Sequence, residues 1–453
     1  MKSDPRQTAI TVLNSLETGR NTLDDIVRTA LNRTALPEKR DRALATTLVY
    51  GVLRQRMALD WVIQRLSATA FEKIDPVVRT ILRVGLYQIL YLDRIPAYAA
   101  VNAAVSFVKT TASPHAAGFV NGVLRAAVRQ HDRLAWPDRA TDPVVWLSIT
   151  RSFPEWMVRR WVDRYGLENT VQYCDGANRI PPITVRVNTL KTGYARLREV
   201  LTGEAERIED GRYSPDAISF YSPRGSVDEM ESFQNGWFQV QDESAQLVCR
   251  WLNPQPGERI LDACAGLGGK TGYLAQLMKN RGRVTAADVD AKKLQALVME
   301  MKRLGVSIVE TRRINWLAET AREESEKFDR VLADCPCSGM GVLRRNPDIK
   351  WSATPERLRR HRRNQVRLLS ALADHVRPGG RLLYVVCSTE PEENEAVVER
   401  FLNDRKDFHI DPASADTEVG LQQFINDRSY FKTSVYPHDL DGFFGARLKK
   451  KRS

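Results

Sequence analysis

The chain has 453 residues, 43% hydrophobic and 27% charged, with a formal net charge of +12. Such a composition is globular and long enough for about two to four domains, and no apolar run approaches the roughly 20 residues of a membrane span. The opening MKSDPRQTAITVLNSLETGR places acid and polar residues where a secretory signal needs an apolar block, so a cytoplasmic location is expected, and the basic excess favours a polyanionic partner such as nucleic acid.

Residues 1–140 read as helix. Leu59, Val62, Ile63 and Leu66 repeat at helical spacing, and Val78, Ile81, Leu82, Ile89 and Leu90 form a second stripe. That stripe opens with Asp75-Pro76, an N-cap followed by proline at the first helical position. Further helices run through VNAAVSFVKTT and GFVNGVLRAAVRQ, and the whole reads as a small bundle with short connections. Arg79, Arg83, Arg125 and Arg129 fall on its outer faces, as a solvated surface or as phosphate contacts. The polar, proline-bearing HDRLAWPDRATDP marks a boundary.

Residues 141–240 read as a helical linker, with FPEWMVRRWVDRYG its clearest helix, and then a β-α-β module opened by Pro181-Pro182 in NRIPPITVRVNTLK and continued by a strand at AISFY. From 241 to 453 strands and helices alternate: ERILDAC, RVTAADV, SIVETRRI, FDRVLADC and GRLLYVVCS are the strands, and a helix carrying Leu294, Leu297, Val298, Met301 and Leu304 stops at Gly305. Such alternation predicts a parallel sheet covered on both faces. The terminal TSVYPHDLDGFFGARLKKKRS reads as a two-stranded hairpin closing the sheet edge.

The first strand of this third region runs into Asp262-Ala263-Cys264-Ala265-Gly266-Leu267-Gly268-Gly269-Lys270-Thr271. Small residues let backbone N–H groups approach a ligand. The spacing fits neither a phosphate-binding P-loop nor the dinucleotide fingerprint, whose third glycine is missing. Asp288 ends the next strand, 22 residues after Gly266, where an acid can accept hydrogen bonds from ribose hydroxyls, while Asp290 reads as the cap of the following helix. A nucleoside without pyrophosphate, S-adenosylmethionine, fits this loop better than NAD.

Six cysteines are too few for a disulfide framework, and Cys335-x-Cys337 lacks the partner pair of a zinc site; no metal is expected. Cys174, Cys249, Cys264 and Cys335 read as packing. Cys337 in DCPCSG and Cys387 in VVCSTEPEEN differ, because each opens a loop at a strand tip. A thiolate beside a methyl donor suits carbon 5 of a pyrimidine, which is too weak a nucleophile until a thiolate adds at carbon 6. Asp334 stands where it could hold the N3/N4 edge of a cytosine.

DACAGLGGKT, DCPCSGMGVLRRNPDIKW, VVCSTEPEEN and DGFFGARL together resemble the RNA cytosine-C5 methyltransferases of bacterial small-subunit rRNA, the RsmB, Sun or Fmu type. VQDESAQLV is similar to the segment leading into that family's catalytic domain, and ITVRVNTLK to its RNA-binding module. YGVLRQRMALDWVI, VNAAVSFVK and FVNGVLR are similar to a NusB-like domain. The resemblance implies a multidomain fold: an all-α NusB-like bundle over 1–140, a small α/β RNA-binding module within 141–240, and a Rossmann-like S-adenosylmethionine-dependent methyltransferase domain over 241–453. It implies Cys387 as the nucleophile, Cys337 in product release, Asp334 as the active-site acid, residues 264–270 as the cofactor loop and Asp288 as the ribose-binding acid. The chain departs from the family in having Leu267 for the loop proline, Val386 for the threonine before the nucleophile, and Asn315 for an acid near the adenine, where the amide is retained as a cofactor contact.

The expected activity is methylation of carbon 5 of a cytosine in 16S rRNA by a monomer, acting on that RNA or on a small-subunit assembly intermediate. The rivals are a tRNA cytosine-C5 methyltransferase, a non-catalytic RNA-binding assembly factor, and an exocyclic amino methyltransferase. The last favours an Asn/Asp-Pro-Pro-aromatic loop, unlike Asp334-Cys335-Pro336-Cys337.

Overall fold

The computed structural model describes residues 4–18, 22–33, 36, 38–111, 114–318, 326–412 and 417–452. Contacts divide the chain into one unit of residues 1–179 with 346–352 and a second of 180–345 with 353–453. No helix among the described residues is long and apolar enough to cross a membrane.

The first unit is helical: α1 (Pro5–Thr18), α2 (Leu23–Arg33), α3 (Lys39–Leu66), α4 (Pro76–Tyr91), α5 (Ala97–Thr111), α6 (Pro114–Gln130), α7 (Pro143–Arg151), α8 (Glu155–Tyr165) and α9 (Leu167–Asn178). The Asp75 carboxylate accepts the N–H groups of Val77 and Val78, so the expected cap and proline start do open α4. Leu59, Val62, Ile63, Val78, Ile81 and Leu82 share one core with the buried faces of α1, α5 and α6. Each such side chain contributes about 1.5–3 kcal/mol when fully buried. Arg125 and Arg129 are exposed. Arg83 departs from the outer-face reading: it is buried and donates to both Asp60 oxygens, at 2.6 and 2.9 Å.

The second unit begins with β1 (Ile183–Val187), α10 (Tyr194–Glu204), β2 (Ala205–Asp210), β3 (Ala217–Pro223), α11 (Glu231–Gln234) and β4 (Phe238–Val240). These form an antiparallel sheet in the order β2-β3-β1-β4. Leu197 and Leu201 of α10 pack on Val185, Val187 and Phe220. The expected β-α-β module therefore carries two further strands. AERIED is one of them, an edge strand whose mostly polar residues hide its pairing with β3.

The larger sheet follows: α12 (Glu243–Leu252), β5 (Arg259–Asp262), α13 (Gly269–Leu277), β6 (Arg283–Asp288), α14 (Ala291–Leu304), β7 (Val309–Arg313) and β8 (Phe328–Asp334). Fifteen residues later the chain gives α15 (Ile349–Ser352) to the first unit, then continues with α16 (Pro355–Ala373), β9 (Val376–Val386), α17 (Glu395–Asp404), β10 (Phe408–Ile410), β11 (Tyr430–Lys432) and β12 (Phe444–Lys450). The order is β10-β12-β9-β8-β5-β6-β7, with β5 through β9 parallel. All five strands expected there are present, and Gly305 (φ 71°) ends α14 as expected.

The C-terminal hairpin differs from the sequence reading. The strand that pairs with β12 is β11, which precedes the TSVY segment rather than lying in it, and β12 also pairs with β9 and with β10, so β12 lies inside the sheet. Its apolar residues Phe444, Ala446 and Leu448 join the core beneath β9, and that burial draws the strand inward. The chain passes from β5 through β6 and β7 on one side and returns to β8 and β9 on the other. That makes a topological switch point between β5 and β8, where open sheets bind ligands outside their carboxyl ends.

In the first unit, Lys350 of α15 is wholly buried. Its Nζ donates to Asn178 Oδ1 at 2.6 Å, to the Ser152 carbonyl at 3.1 Å and to the Arg54 carbonyl at 3.3 Å, and it lies 3.6 Å from the Phe153 ring centroid. Burial holds its pKa well below the ordinary lysine value. The neighbouring Trp351 indole donates to the Leu53 carbonyl at 2.9 Å.

Candidate active site

β5 ends at the switch point. Asp262 closes it, fully buried, and accepts the Thr271 hydroxyl at 2.7 Å through one oxygen. Its other oxygen is buried with no hydrogen-bond partner among the described residues. Desolvation raises its pKa to about 7, against the lowering pull of Thr271. A carboxyl raised in the fold keeps its proton longer than the unfolded chain does. Ionisation therefore costs stability as pH rises from about 4 to about 7, and the cost is complete above that. Asp262→Asn has no such cost. Denaturant titrations should show the variant gaining on the parent between about pH 4 and about pH 7; a pH-independent difference would contradict the assignment.

The loop from Ala263 to Gly268 turns into α13. Gly268 adopts φ 88°, in the left-handed region, and a Cβ there would lie 2.7 Å from Leu297 Cγ. α13 has no side-chain N-cap, so its first N–H groups are left for a ligand. A Cβ added at Gly266 or Gly269 would meet nothing within 4 Å, and Leu267 is exposed. These features, with the orphaned oxygen of Asp262, make an open cradle that fits a nucleoside cofactor.

Asp288 ends β6 beside this loop. One oxygen accepts the Gly266 N–H at 3.0 Å and the other the Asp290 N–H at 2.9 Å. Asp290 itself accepts from Lys292 and Lys293 and caps α14, which leaves Asp288 facing the loop. Asn315, after β7, is exposed, and its side-chain oxygen accepts the Leu317 N–H at 3.1 Å. Cys264 and Ala265 lie in the loop, with Ala265 N–H bonded to the Ala287 carbonyl at 2.9 Å. Lys270 is drawn to the tip of the neighbouring strand: its Nζ lies 2.6 Å from Asp334 Oδ2. Burial opposes its charge, but Asp334 and the nearby Cys249 and Cys387 sulfurs prevail and hold its pKa above the ordinary lysine value.

Three residues beyond Asp334, Cys337 meets Cys387 at the end of β9, with 3.3 Å between the sulfurs. Both are half-buried, and Cys335 is buried among core side chains. Cys337 is held far above the ordinary thiol pKa by its hydrogen bond to Cys387, then by burial and by the charges of Cys387 and Glu393. Two sulfurs this close cannot both ionise cheaply. Either sulfur can be the donor of the bond between them.

The loops carrying the two thiols are tied by a residue that the sequence reading did not single out. Glu393, buried in the turn before α17, accepts the Ser338 N–H at 2.8 Å and the Ser388 hydroxyl at 2.6 Å, and also the Ser338 hydroxyl. Gln365 of α16 donates to Glu393 at 3.2 Å and to the Pro336 carbonyl at 3.1 Å. The signal available in the sequence was Glu393 in EPEEN, six residues after Cys387, but an acidic run in a turn reads as a solvated surface.

The backbone closes the site. Gly341 N–H donates to the Cys387 carbonyl at 3.0 Å, and Gly442 N–H to the Gly341 carbonyl at 2.7 Å. Asp441, also buried, accepts from Arg344 and Arg345 at 2.6 Å each, and Arg345 reaches Asp242 at 2.8 Å. Desolvation and Asp242 push the Asp441 pKa up against the pull of the two arginines. From the smaller sheet, Arg186 donates to Gln241, Gln239 and the Gly269 carbonyl at 2.6, 2.8 and 2.9 Å, which fixes that sheet to the cofactor loop.

Comparison with known proteins gives three family matches: 16S rRNA methyltransferase RsmB/F over residues 249–449, the NusB family over 3–129, and the Methyltr_RsmF/B-like ferredoxin-like domain over 153–227. The chain is 35% identical to a probable ribosomal RNA small subunit methyltransferase B of Bacillus subtilis, with 99% of each chain covered. It is 34% identical to that of Synechocystis, covering 98% of this chain and 99% of the relative. Among solved structures, PH0851 superposes with a TM-score of 0.82 at 26% identity, with 99% of both chains covered. A methyltransferase homolog protein from Pyrococcus horikoshii gives 0.58 at 26% identity, covering 68% of this chain and 99% of that one. The chain belongs to the RsmB/F family of 16S rRNA methyltransferases, and its cofactor is S-adenosylmethionine.

Proposed function

We propose that this enzyme methylates carbon 5 of a cytosine in 16S rRNA through a transient bond between Cys387 and carbon 6 of the ring. The observation that carries this reading is the 3.3 Å pairing of Cys337 and Cys387 beside the Lys270–Asp334 ion pair.

The loop of Cys264, Ala265, Gly266, Leu267, Gly268, Gly269 and Lys270 would hold the cofactor, with Asp288 toward the ribose and Asn315 toward the base. Bound there, S-adenosylmethionine supplies an electrophilic methyl group. Lys270, cationic and close to Cys387, favours the thiolate, and the Cys337 S–H hydrogen-bonds to it. Cys387 adds to carbon 6. Asp334 holds the N3/N4 edge, and a proton shared between Asp334 and Lys270 neutralises the charge that builds on N3. The ring π-electrons would then form the bond from carbon 5 to the methyl group, whose bond to the cofactor sulfur would break with its electron pair left on that sulfur. Cys337 has passed its proton to solvent once the Cys387 sulfur is neutral in the adduct, and its thiolate takes the carbon-5 hydrogen. The electrons of that C–H bond form the carbon 5–carbon 6 double bond, Cys387 leaves as a thiolate, and N3 returns its proton to Asp334 and Lys270.

The test is nucleoside mass spectrometry of 16S rRNA incubated with the purified protein and labelled cofactor. Label in 5-methylcytidine is the expected result. Label in N4-methylcytidine, or none in RNA, would overturn the reading.

A further inference from the structure

The helix that braces the Cys337 loop carries charge that the reaction does not use. α16 contains six arginines against one acid, Glu356. Leu358, Gln365, Leu368, Leu369 and Leu372 are buried, so the arginines are driven to the opposite face. Arg359, Arg362, Arg363 and Arg367, with Arg400 from α17 and the half-buried Val366, line a groove of about 440 Å³. Arg359 pairs with Glu356 at 2.7 Å and Arg400 with Asp404 at 2.9 Å. Among the described residues, Arg362, Arg363 and Arg367 have no acidic partner.

Two electrostatic terms make this arrangement costly for an isolated helix. Arg359 and Arg363, and Arg363 and Arg367, are like charges at i,i+4, which repel across one turn. Arg357 to Arg363 also crowd the amino-terminal half of the helix, where the backbone dipole disfavours cations. A surface that keeps such a cost is offset by an anionic partner. Planar guanidinium groups suit phosphate, which they bind with paired N–H donors.

We propose that this groove binds backbone phosphates of the RNA strand next to the target base. This rests on the RNA-methylation reading above. The same helix reaches the catalytic loop: Gln365 contacts Pro336 and Glu393, and the half-buried His361 faces the Pro336 carbonyl. A helix with its side chains is roughly 10–12 Å across. Phosphates on the outer face of α16 are then about one helix diameter from the Cys337 loop, a span that nucleotides flanking a base in the site can cover.

The test uses the full-length enzyme with Arg362, Arg363 and Arg367 changed together to glutamine and, separately, to glutamate. Binding to 16S rRNA is measured across a salt series, with KM, kcat and cofactor affinity measured in parallel. The glutamine variant should bind RNA on the order of tenfold or more weakly near 0.1 M salt, and its log–log salt slope should fall by about two to three. The glutamate variant should bind more weakly still. KM should rise in both, with kcat at saturating RNA and cofactor affinity unchanged. Parental RNA affinity and salt slope in both variants would overturn the groove assignment and leave the methylation reading intact, whereas a parent enzyme that methylates no RNA would overturn that reading. Loss of affinity for the ribosomal particle alone, with binding to bare rRNA unchanged, would also overturn it, since the contact would then be with protein. If the glutamate variant fails to fold, the glutamine variant decides.

Discussion

Cys387→Ala will abolish methyl transfer, and Cys337→Ala will halt the enzyme with RNA still attached. The first loss should be on the order of 10⁴- to 10⁶-fold, the scale seen when a covalent nucleophile is removed. Without the Cys387 sulfur, carbon 5 has no route to an enamine, and neither cofactor binding nor RNA binding can compensate. The second variant keeps the thiolate and loses the sulfur 3.3 Å away that takes the carbon-5 proton. Addition and methylation proceed, but elimination stalls. A denaturing gel should show a protein–RNA band that resists heat and detergent in Cys337→Ala and is absent from the double variant. A band in Cys387→Ala and none in Cys337→Ala would reverse the two roles.

Glu393→Ala should cost roughly 100-fold in kcat without touching substrate or cofactor directly. Its carboxylate gathers donors from both thiol loops and from α16, so its removal orphans the Ser338 N–H and leaves the Gln365 amide only its bond to the Pro336 carbonyl. Each buried donor left unpaired costs about 1–3 kcal/mol. The loops relax to recover that energy, and a shift near 1 Å between reacting groups can cost about 10²-fold. Glu393→Gln keeps the shape and one strong acceptor, so it should recover much of the activity. The readout separating position from stability is the pH profile of kcat: with the sulfurs apart, Cys337 loses the hydrogen bond that raises its pKa, and because its thiolate is the base, the acid limb should move to lower pH. An alanine variant with parental kcat and pH profile would show that Glu393 only stabilises the fold.

The strands of the catalytic sheet were legible because buried parallel strands are continuous apolar runs, and ILDA, VTAADV, VLADC and LLYVV all read that way. The caps at Asp75 and Asp290 and the stop at Gly305 were legible because their chemistry is local. The features the sequence hid depend on distant partners. AERIED is strand only because β3 supplies its hydrogen bonds. β12 reads as half of a hairpin, but its apolar face is claimed by β9. Glu393 and Lys350 are charged residues that a sequence reading sends to solvent, and both are buried because polar groups from other segments converge on them. The site shows the same division. The residue types at the strand tips were readable, whereas the pairing of Lys270 with Asp334, across 64 positions of chain, was not.

The excursion of residues 346–352 into the helical unit has a consequence for how the gene can be divided. A truncation at Arg179 does not yield a self-sufficient catalytic fragment. It strips Lys350 of the acceptors on Arg54, Ser152 and Asn178 and bares the indole of Trp351, fourteen residues after Cys337. The bundle is equally incomplete when expressed from its own contiguous stretch, because one of its buried cations is encoded beyond residue 345. A cut at residue 179 therefore leaves each product without a piece of its own packing.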